Sequence, residues 1–326
     1  MGTTLEVPMV RLSRRCFLVS SASAGAMVLS AQVRGADDAA AEKIIDIHQH
    51  TSYRERTSEQ LIAHQRMMGV TQTILLPSGS SVKRHSTGDG IHNFLGGVGA
   101  GGNATVLTMA RQYPNEFLFG ANEVTDLPTA RTEVARYLDL GAIMIGEQKF
   151  GVECDSAESQ ILYALAAEYR VPILLHFQHG TYNSGFERFH LMLEKFPQTT
   201  FIGHAQTWWA NIDKHHTDQK VLYPKGNVVA GGITDRCLAD YPNVFADMSA
   251  GSGLNALTRD EDYACGFLDR HQNKILFGSD CDDRIGQGIA CQGSQTIAAI
   301  RKLAPNPAAA RKILYDNAKS LFRIVD

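Results

Sequence analysis

Eight short apolar runs, separated by amphipathic stretches, predict a (β/α)8 barrel: parallel strands need long crossovers, and eight of them close a ring. The runs are "IIDIH" (44–48), "TQTILLP" (71–77), "FLFGANE" (117–123), "AIMIGEQKF" (142–150), "VPILLHF" (171–177), "TTFIGH" (199–204), "NVFADMS" (243–249) and "KILFGSD" (274–280). Helical patterns fall between them, among them "SEQLIAHQRMMG", "TARTEVARYLDLG", "SQILYALAAEYR" and "FERFHLMLEKFP". Another, "AAARKILYDNAKSLFRI", follows the last run. An open doubly wound sheet is the alternative, but no G-x-G-x-x-G follows the first run. No fixed-period repeat points to a solenoid.

Residues 1–36 read as a leader outside the fold, and 37–326 as the barrel. "RLSRRCFLVS" sets Arg14 and Arg15 before Phe17 and Leu18, and an Ala/Ser/Gly-rich apolar run follows. That run is too short and too weakly apolar to span a membrane. The pattern resembles a twin-arginine export signal. The resemblance implies an exported protein, periplasmic or secreted, handled by the twin-arginine machinery already folded, with cleavage expected near Ala31 or Ala36. Cys16 precedes the apolar run, unlike a lipoprotein cysteine, so no stable membrane anchor is expected.

The chain is 44% hydrophobic with a formal net charge of −3, and the balance grows more acidic once the leader's arginines are removed. Nothing in that balance suggests a nucleic-acid partner. Cys154, Cys237, Cys265, Cys281 and Cys291 contain no CxxC pair, so neither a zinc ribbon nor a disulfide scaffold is indicated. Cys281 and Cys291 could bridge in an oxidising compartment, or stay free.

In a parallel barrel every strand's C-terminal end faces one mouth, where active sites lie. The first run ends in His48 and His50, which a strand's alternation puts on one face. The fourth ends in Glu147 and Lys149, the fifth in His176, the sixth in His204 and the eighth in Asp280. Singly, each has a plain structural explanation. Converging on one mouth, they predict a metal site.

"DIHQH", "PILLHF", "FIGHA" and "ILFGSD" resemble the amidohydrolase superfamily, in its amidohydrolase-related branch, over roughly 44–322. The resemblance implies a (β/α)8 barrel with one or two divalent ions, commonly zinc, acting on a small-molecule substrate. It assigns His48, His50, His176 and Asp280 as metal ligands, and His204 as a ligand or a catalytic group. On the fourth strand, members of this family use a carboxylated lysine, a glutamate, or neither. Glu147 is the preferred ligand, because it needs no modification, with Lys149 its ion-pair partner or a substrate contact. The expected reaction is hydrolysis of an amide, lactone or ester by a metal-activated water, with Asp280 shuttling the proton. Related members decarboxylate, which makes a lyase the second reading, and a non-catalytic metal-binding barrel the third.

Two connections are longer than a crossover needs: the Gly-rich stretch after the second run and "AQTWWANIDKHHTDQKVLYPKGNVVAGG" after the sixth. Both are expected as lids or substrate walls. Within them Trp208 and Trp209 read as an aromatic wall or a packed lid, and His85 and His92 as substrate contacts. His215 and His216, being adjacent, diverge. His64 is expected on the surface of the first helix.

Overall fold

The computed structural model describes residues 42–87 and 94–325. The leader, with Arg14 and Arg15, and His92 lie outside the described residues. Each of the eight apolar runs contains one strand: β1 (Ile45–Gln49), β2 (Gln72–Leu75), β3 (Phe117–Phe119), β4 (Ile145–Gln148), β5 (Ile173–His176), β6 (Phe201–His204), β7 (Val244–Asp247) and β8 (Ile275–Leu276). All neighbouring strands pair in parallel, as a three-stranded sheet β1–β2–β3 and a five-stranded sheet β4 to β8.

No regular ladder joins the two sheets, yet backbone hydrogen bonds cross both seams. Between β3 and β4, Ala121 N–H donates to Met144 C=O at 2.9 Å and Gly146 N–H to Ala121 C=O at 2.9 Å. Between β8 and β1, Ile47 N–H donates to Phe277 C=O at 3.1 Å and Asp280 N–H to His48 C=O at 2.8 Å. The architecture is the (β/α)8 barrel, eight parallel strands in chain order with helices outside.

Alternation along the strands sorts the apolar residues into two clusters. Ile45, Ile47, Ile74, Met144, Leu174 and Ile202 pack with one another, and Tyr315 and Phe322 of the C-terminal segment join them. Residues of opposite parity, such as Leu75, Ile173, Leu175 and Phe201, pack against the helices. The strand "FIGHA" needs its glycine for this packing. A Cβ on Gly203 would lie 2.3 Å from the Trp208 ring, an overlap the buried indole has no room to relieve.

The two tryptophans settle the long connection after β6. Trp208 is fully buried against Phe177, Phe186 and Phe189, and Trp209 donates its indole N–H to Asp247 C=O at 2.9 Å. They are core, not a substrate wall. His215 is exposed and His216 half-buried. His64 corrects the sequence reading outright, since it is fully buried. It lies on the helix Ser58–Met67 with Leu61 and Gln65, on the face turned to the barrel.

Outside the ring, Asp235 ties the helix Ile233–Asp240 to Glu261–His271. Its carboxylate accepts from His271 Nε2 at 2.6 Å and from Gly231 N–H at 2.9 Å. Burial alone raises the Asp235 pKa; the His271 hydrogen bond, Gly231 and Arg270 outweigh it and hold it at about 2. A depressed carboxylate stabilises the fold above its unfolded pKa of about 3.9, and that stabilisation is lost as pH falls toward about 2. Acid unfolding should therefore be shallower in Asp235→Asn across that window, by on the order of 2 kcal/mol in total. Urea unfolding of both proteins at stepped pH checks it. Parallel profiles would remove Asp235 from the acid response.

Candidate metal centre

Register breaks aim the site's side chains. The β1–β2 register shifts between Asp46 and Gln49, and the β4–β5 register between Ile145 and Gln148. Before the first break, Asp46 accepts a hydrogen bond at 2.8 Å from Gln65 of the helix Ser58–Met67; after it, His48 and His50 meet in the barrel. Likewise Ile145 packs toward the helices, while Glu147 reaches the histidines. Such irregularities near strand ends commonly re-aim a side chain. β5 and β6 stay regular, and their last residues, His176 and His204, are register partners.

The eighth strand is shorter than its sequence suggests, and Asp280 lies beyond it with φ +46°. Two features hold it there. Asp46 accepts hydrogen bonds from Ser279 N–H at 2.9 Å and His48 N–H at 3.0 Å, pinning β1 to the turn after β8. Gly278 permits the close approach, since a Cβ there would lie 2.4 Å from Asp247 Oδ1 and 2.8 Å from His48 Cβ.

Six side chains converge as a result. His48 and His50 bring their Nε2 atoms to 3.3 Å. Glu147 Oε2 is 3.5 Å from both, and Asp280 Oδ1 is 3.8 Å from His48 Nε2 and 3.5 Å from His50 Nε2. His204 Nε2 lies 3.7 Å from Glu147 Oε1 and 3.9 Å from Asp280 Oδ2, and His176 Nδ1 hydrogen-bonds Glu147 Oε1. Three ligand triads share these residues: His48–His50–Glu147, His48–His204–Asp280 and Glu147–His176–His204.

The donor set fits a divalent cation on a specific count. Glu147 Oε2, His204 Nε2 and Asp280 Oδ1 are buried, without a hydrogen-bond partner. Each orphaned polar atom carries a desolvation cost of about 1–3 kcal/mol or more. A cation in the triads that contain these residues would give such atoms a partner. Imidazole and carboxylate ligands suit zinc and manganese alike.

Lys149 stands at the edge of the cluster. Its Nζ is 4.0 Å from Glu147 Oε1, 4.3 Å from the Phe94 ring centre and 5.9 Å from that of Tyr182. Phe94 brings the connection after β2 to the mouth, while His85 is exposed at the rim of a cavity with Thr181 and Tyr182.

Electrostatics follow from crowding two carboxylates among four imidazoles. Burial alone lowers the His48 pKa, but Asp280, Glu147 and Asp247 outweigh it and raise it well above the ordinary value. Burial alone raises Glu147, yet Lys149, His176 and His48 hold it well below the carboxylate range. Asp280 is likewise lowered against burial, chiefly by the neighbouring imidazoles of His48 and His50. Burial pushes His204 down to about 4. Both carboxylates are thus ionised and His204 neutral at neutral pH, as ligation requires, while His48 would release its proton when an ion binds.

Asp247 and Ser249 complete the site without having stood out in the sequence. Asp247 Oδ2 accepts from His48 Nδ1 at 2.7 Å and lies 3.3 Å from His204 Nδ1. Ser249 Oγ bonds Asp247 at 2.7 Å and approaches His204 Nδ1 at 3.0 Å. On the other side, His50 Nδ1 donates to Leu76 C=O at 2.8 Å. Each contact turns Nε2 of its histidine toward the cluster's centre, as second partners of metal-binding imidazoles do.

No protein-family model and no curated protein matches the chain. Solved structures do. An uncharacterized TIM-barrel protein from Bordetella bronchiseptica aligns with a TM-score of 0.55 at 17% identity, over 86% of this chain and 98% of that one. A dihydroxybenzoic acid decarboxylase from Polaromonas, with bound manganese and the inhibitor 2-nitroresorcinol, aligns at 0.54 and 14% identity, over 86% and 97%. A protein described as a probable 2-pyrone-4,6-dicarboxylic acid hydrolase from Acinetobacter baumannii, with citric acid bound, gives 0.54 and 13%, over 86% and 99%. At such identities the likeness establishes the fold.

Proposed function

We propose that this chain is a metal-dependent hydrolase of the amidohydrolase superfamily, cleaving an amide, lactone or ester of a small molecule. The observation that carries the reading is three overlapping ligand triads at the barrel mouth, in which Glu147 Oε2, His204 Nε2 and Asp280 Oδ1 are buried and unpartnered. His48, His50, Glu147, His176, His204 and Asp280 would hold one or two divalent ions there, zinc or manganese. When bound, such an ion supplies Lewis acidity, polarising an oxygen of water or substrate. Asp280 accepts the proton of the attacking water at Oδ1 and returns it to the leaving group. His204, neutral and fixed by Asp247 and Ser249, orients the substrate carbonyl or completes the ion's shell. Lys149, beneath Phe94 and Tyr182, is placed to meet an anionic group of the substrate.

Decarboxylation is the second reading, favoured by structural neighbours described as 2,6-dihydroxybenzoate and 5-carboxyvanillate decarboxylases. The N-terminal pattern adds a proposal of export, with the signal removed before residue 37.

Metal-replete protein incubated in oxygen-labelled water with lactones, esters, amides and hydroxybenzoates separates the readings. Hydrolysis puts one labelled oxygen into the product and releases no carbon dioxide. Carbon dioxide release with no labelled oxygen in the organic product would replace the hydrolase by the lyase. A replete protein inert across the panel would oppose both.

A further inference from the structure

We propose that the chain carries a second metal site, a zinc ion held by His64, Cys281, Asp283 and Cys291 beside the barrel mouth. None of these four belongs to the cluster described above, and the site does not depend on how that cluster is read. His64 comes from the helix Ser58–Met67, Cys281 and Asp283 from the turn after β8, and Cys291 caps the helix Gln292–Leu303. One ligand atom from each lies within 4.8 Å of all the others.

The distances carry the identification. A tetrahedral zinc ion takes sulfur at about 2.3 Å and imidazole nitrogen at about 2.0–2.1 Å, which sets two sulfurs about 3.8 Å apart and sulfur and nitrogen about 3.5 Å apart. Here Cys281 Sγ and Cys291 Sγ are 3.7 Å apart, and Cys291 Sγ is 3.5 Å from His64 Nε2. His64 Nε2 and Asp283 Oδ2 are 3.0 Å apart. A disulfide would need its sulfurs at about 2.05 Å. Two thiolates, an imidazole and a carboxylate form a closed, four-ligand set of the kind zinc takes in structural sites. The thiolates set it apart from the imidazole–carboxylate mouth, since soft sulfur ligands select against manganese.

The surroundings suit thiolate ligands. Gly293 N–H donates to Cys281 Sγ at 2.9 Å and Ser294 N–H to Cys291 Sγ at 3.4 Å, both from the first turn of the helix Gln292–Leu303. Zinc with two thiolates and one carboxylate leaves one negative charge. Arg56, almost wholly buried, donates to Asp283 C=O at 2.9 Å and lies in the field of Cys281. Its other end donates to His50 C=O at 3.3 Å. The zinc would clamp the turn that carries Asp280 to the first helix, and so fix that carboxylate at the mouth.

Cobalt replacement in the full-length protein tests this. Cobalt at the site gives a thiolate-to-cobalt charge-transfer band in the near ultraviolet. The band should survive in His48→Ala, which empties the mouth, and vanish in the double variant Cys281→Ser, Cys291→Ser. Elemental analysis should show that double variant short by one zinc per chain. Should it fail to fold, the band in wild type and His48→Ala, with peptide mapping of unreduced protein, still decides. Cobalt-loaded protein without a thiolate band, or a Cys281–Cys291 disulfide in metal-replete material, would overturn the site.

Discussion

Asp280→Asn is expected to keep its metal and lose activity by 10²- to 10⁴-fold, roughly 3–5 kcal/mol in the barrier. The substitution isolates proton transfer. The amide matches the carboxylate in size and offers an oxygen, but it cannot take a proton. The backbone tolerates it, since Asp280 sits at φ +46° and asparagine adopts that left-handed conformation readily. The bond from its N–H to His48 C=O is untouched. Metal content measured beside kcat decides the matter. A metal-replete, fully active variant removes Asp280 from the proton path. A metal-free one makes it chiefly a ligand and passes the proton to His204.

His48→Ala and His176→Ala are expected to lose metal and activity together. His48 belongs to two of the three triads, and its removal also takes one of Asp247's two 2.7 Å partners, leaving Ser249. Removing His176 takes away the imidazole hydrogen-bonded to Glu147 and leaves that buried carboxylate with looser neighbours, His48 and His50 at 3.5 Å, His204 at 3.7 Å and Lys149 at 4.0 Å. Leaving a buried charged group without its hydrogen-bond partner costs about 1–3 kcal/mol or more, so both variants should also melt lower. Their midpoints should not respond to added manganese, which the thiolate site selects against. In the wild type, metal at a hundred times its Kd adds about 2.7 kcal/mol. A His48→Ala protein whose midpoint still climbs with manganese as the wild type's does would place that ion elsewhere.

Strand order was readable because apolar runs and their polar ends are local signals, and the six residues at the mouth were named from them. What the sequence hid was longer in range. Asp247 stands at the end of "NVFAD" as Asp280 follows "ILFGS", so the strand-end rule could have found it; a lone carboxylate without a second histidine nearby did not stand out. The face on which His48 lies depends on a register break between Asp46 and Gln49, which only pairing with β2 reveals. His64 could have been read as buried, since it lies three residues after Leu61 and four before Met68, both core positions. Its meeting with Cys281 and Cys291 could not, because more than two hundred residues separate them and no spacing motif marks it. Trp208 was ambiguous for the same reason: its partners Phe177, Phe186 and Phe189 come from other segments.

The central claim is an ion at the barrel mouth, and anomalous diffraction from crystals grown with manganese tests it most directly. Data collected on both sides of the manganese absorption edge should give a difference peak enclosed by His48, His50, Glu147, His176, His204 and Asp280. A mouth with those side chains in place and no peak between them, at manganese concentrations that support activity, would contradict it.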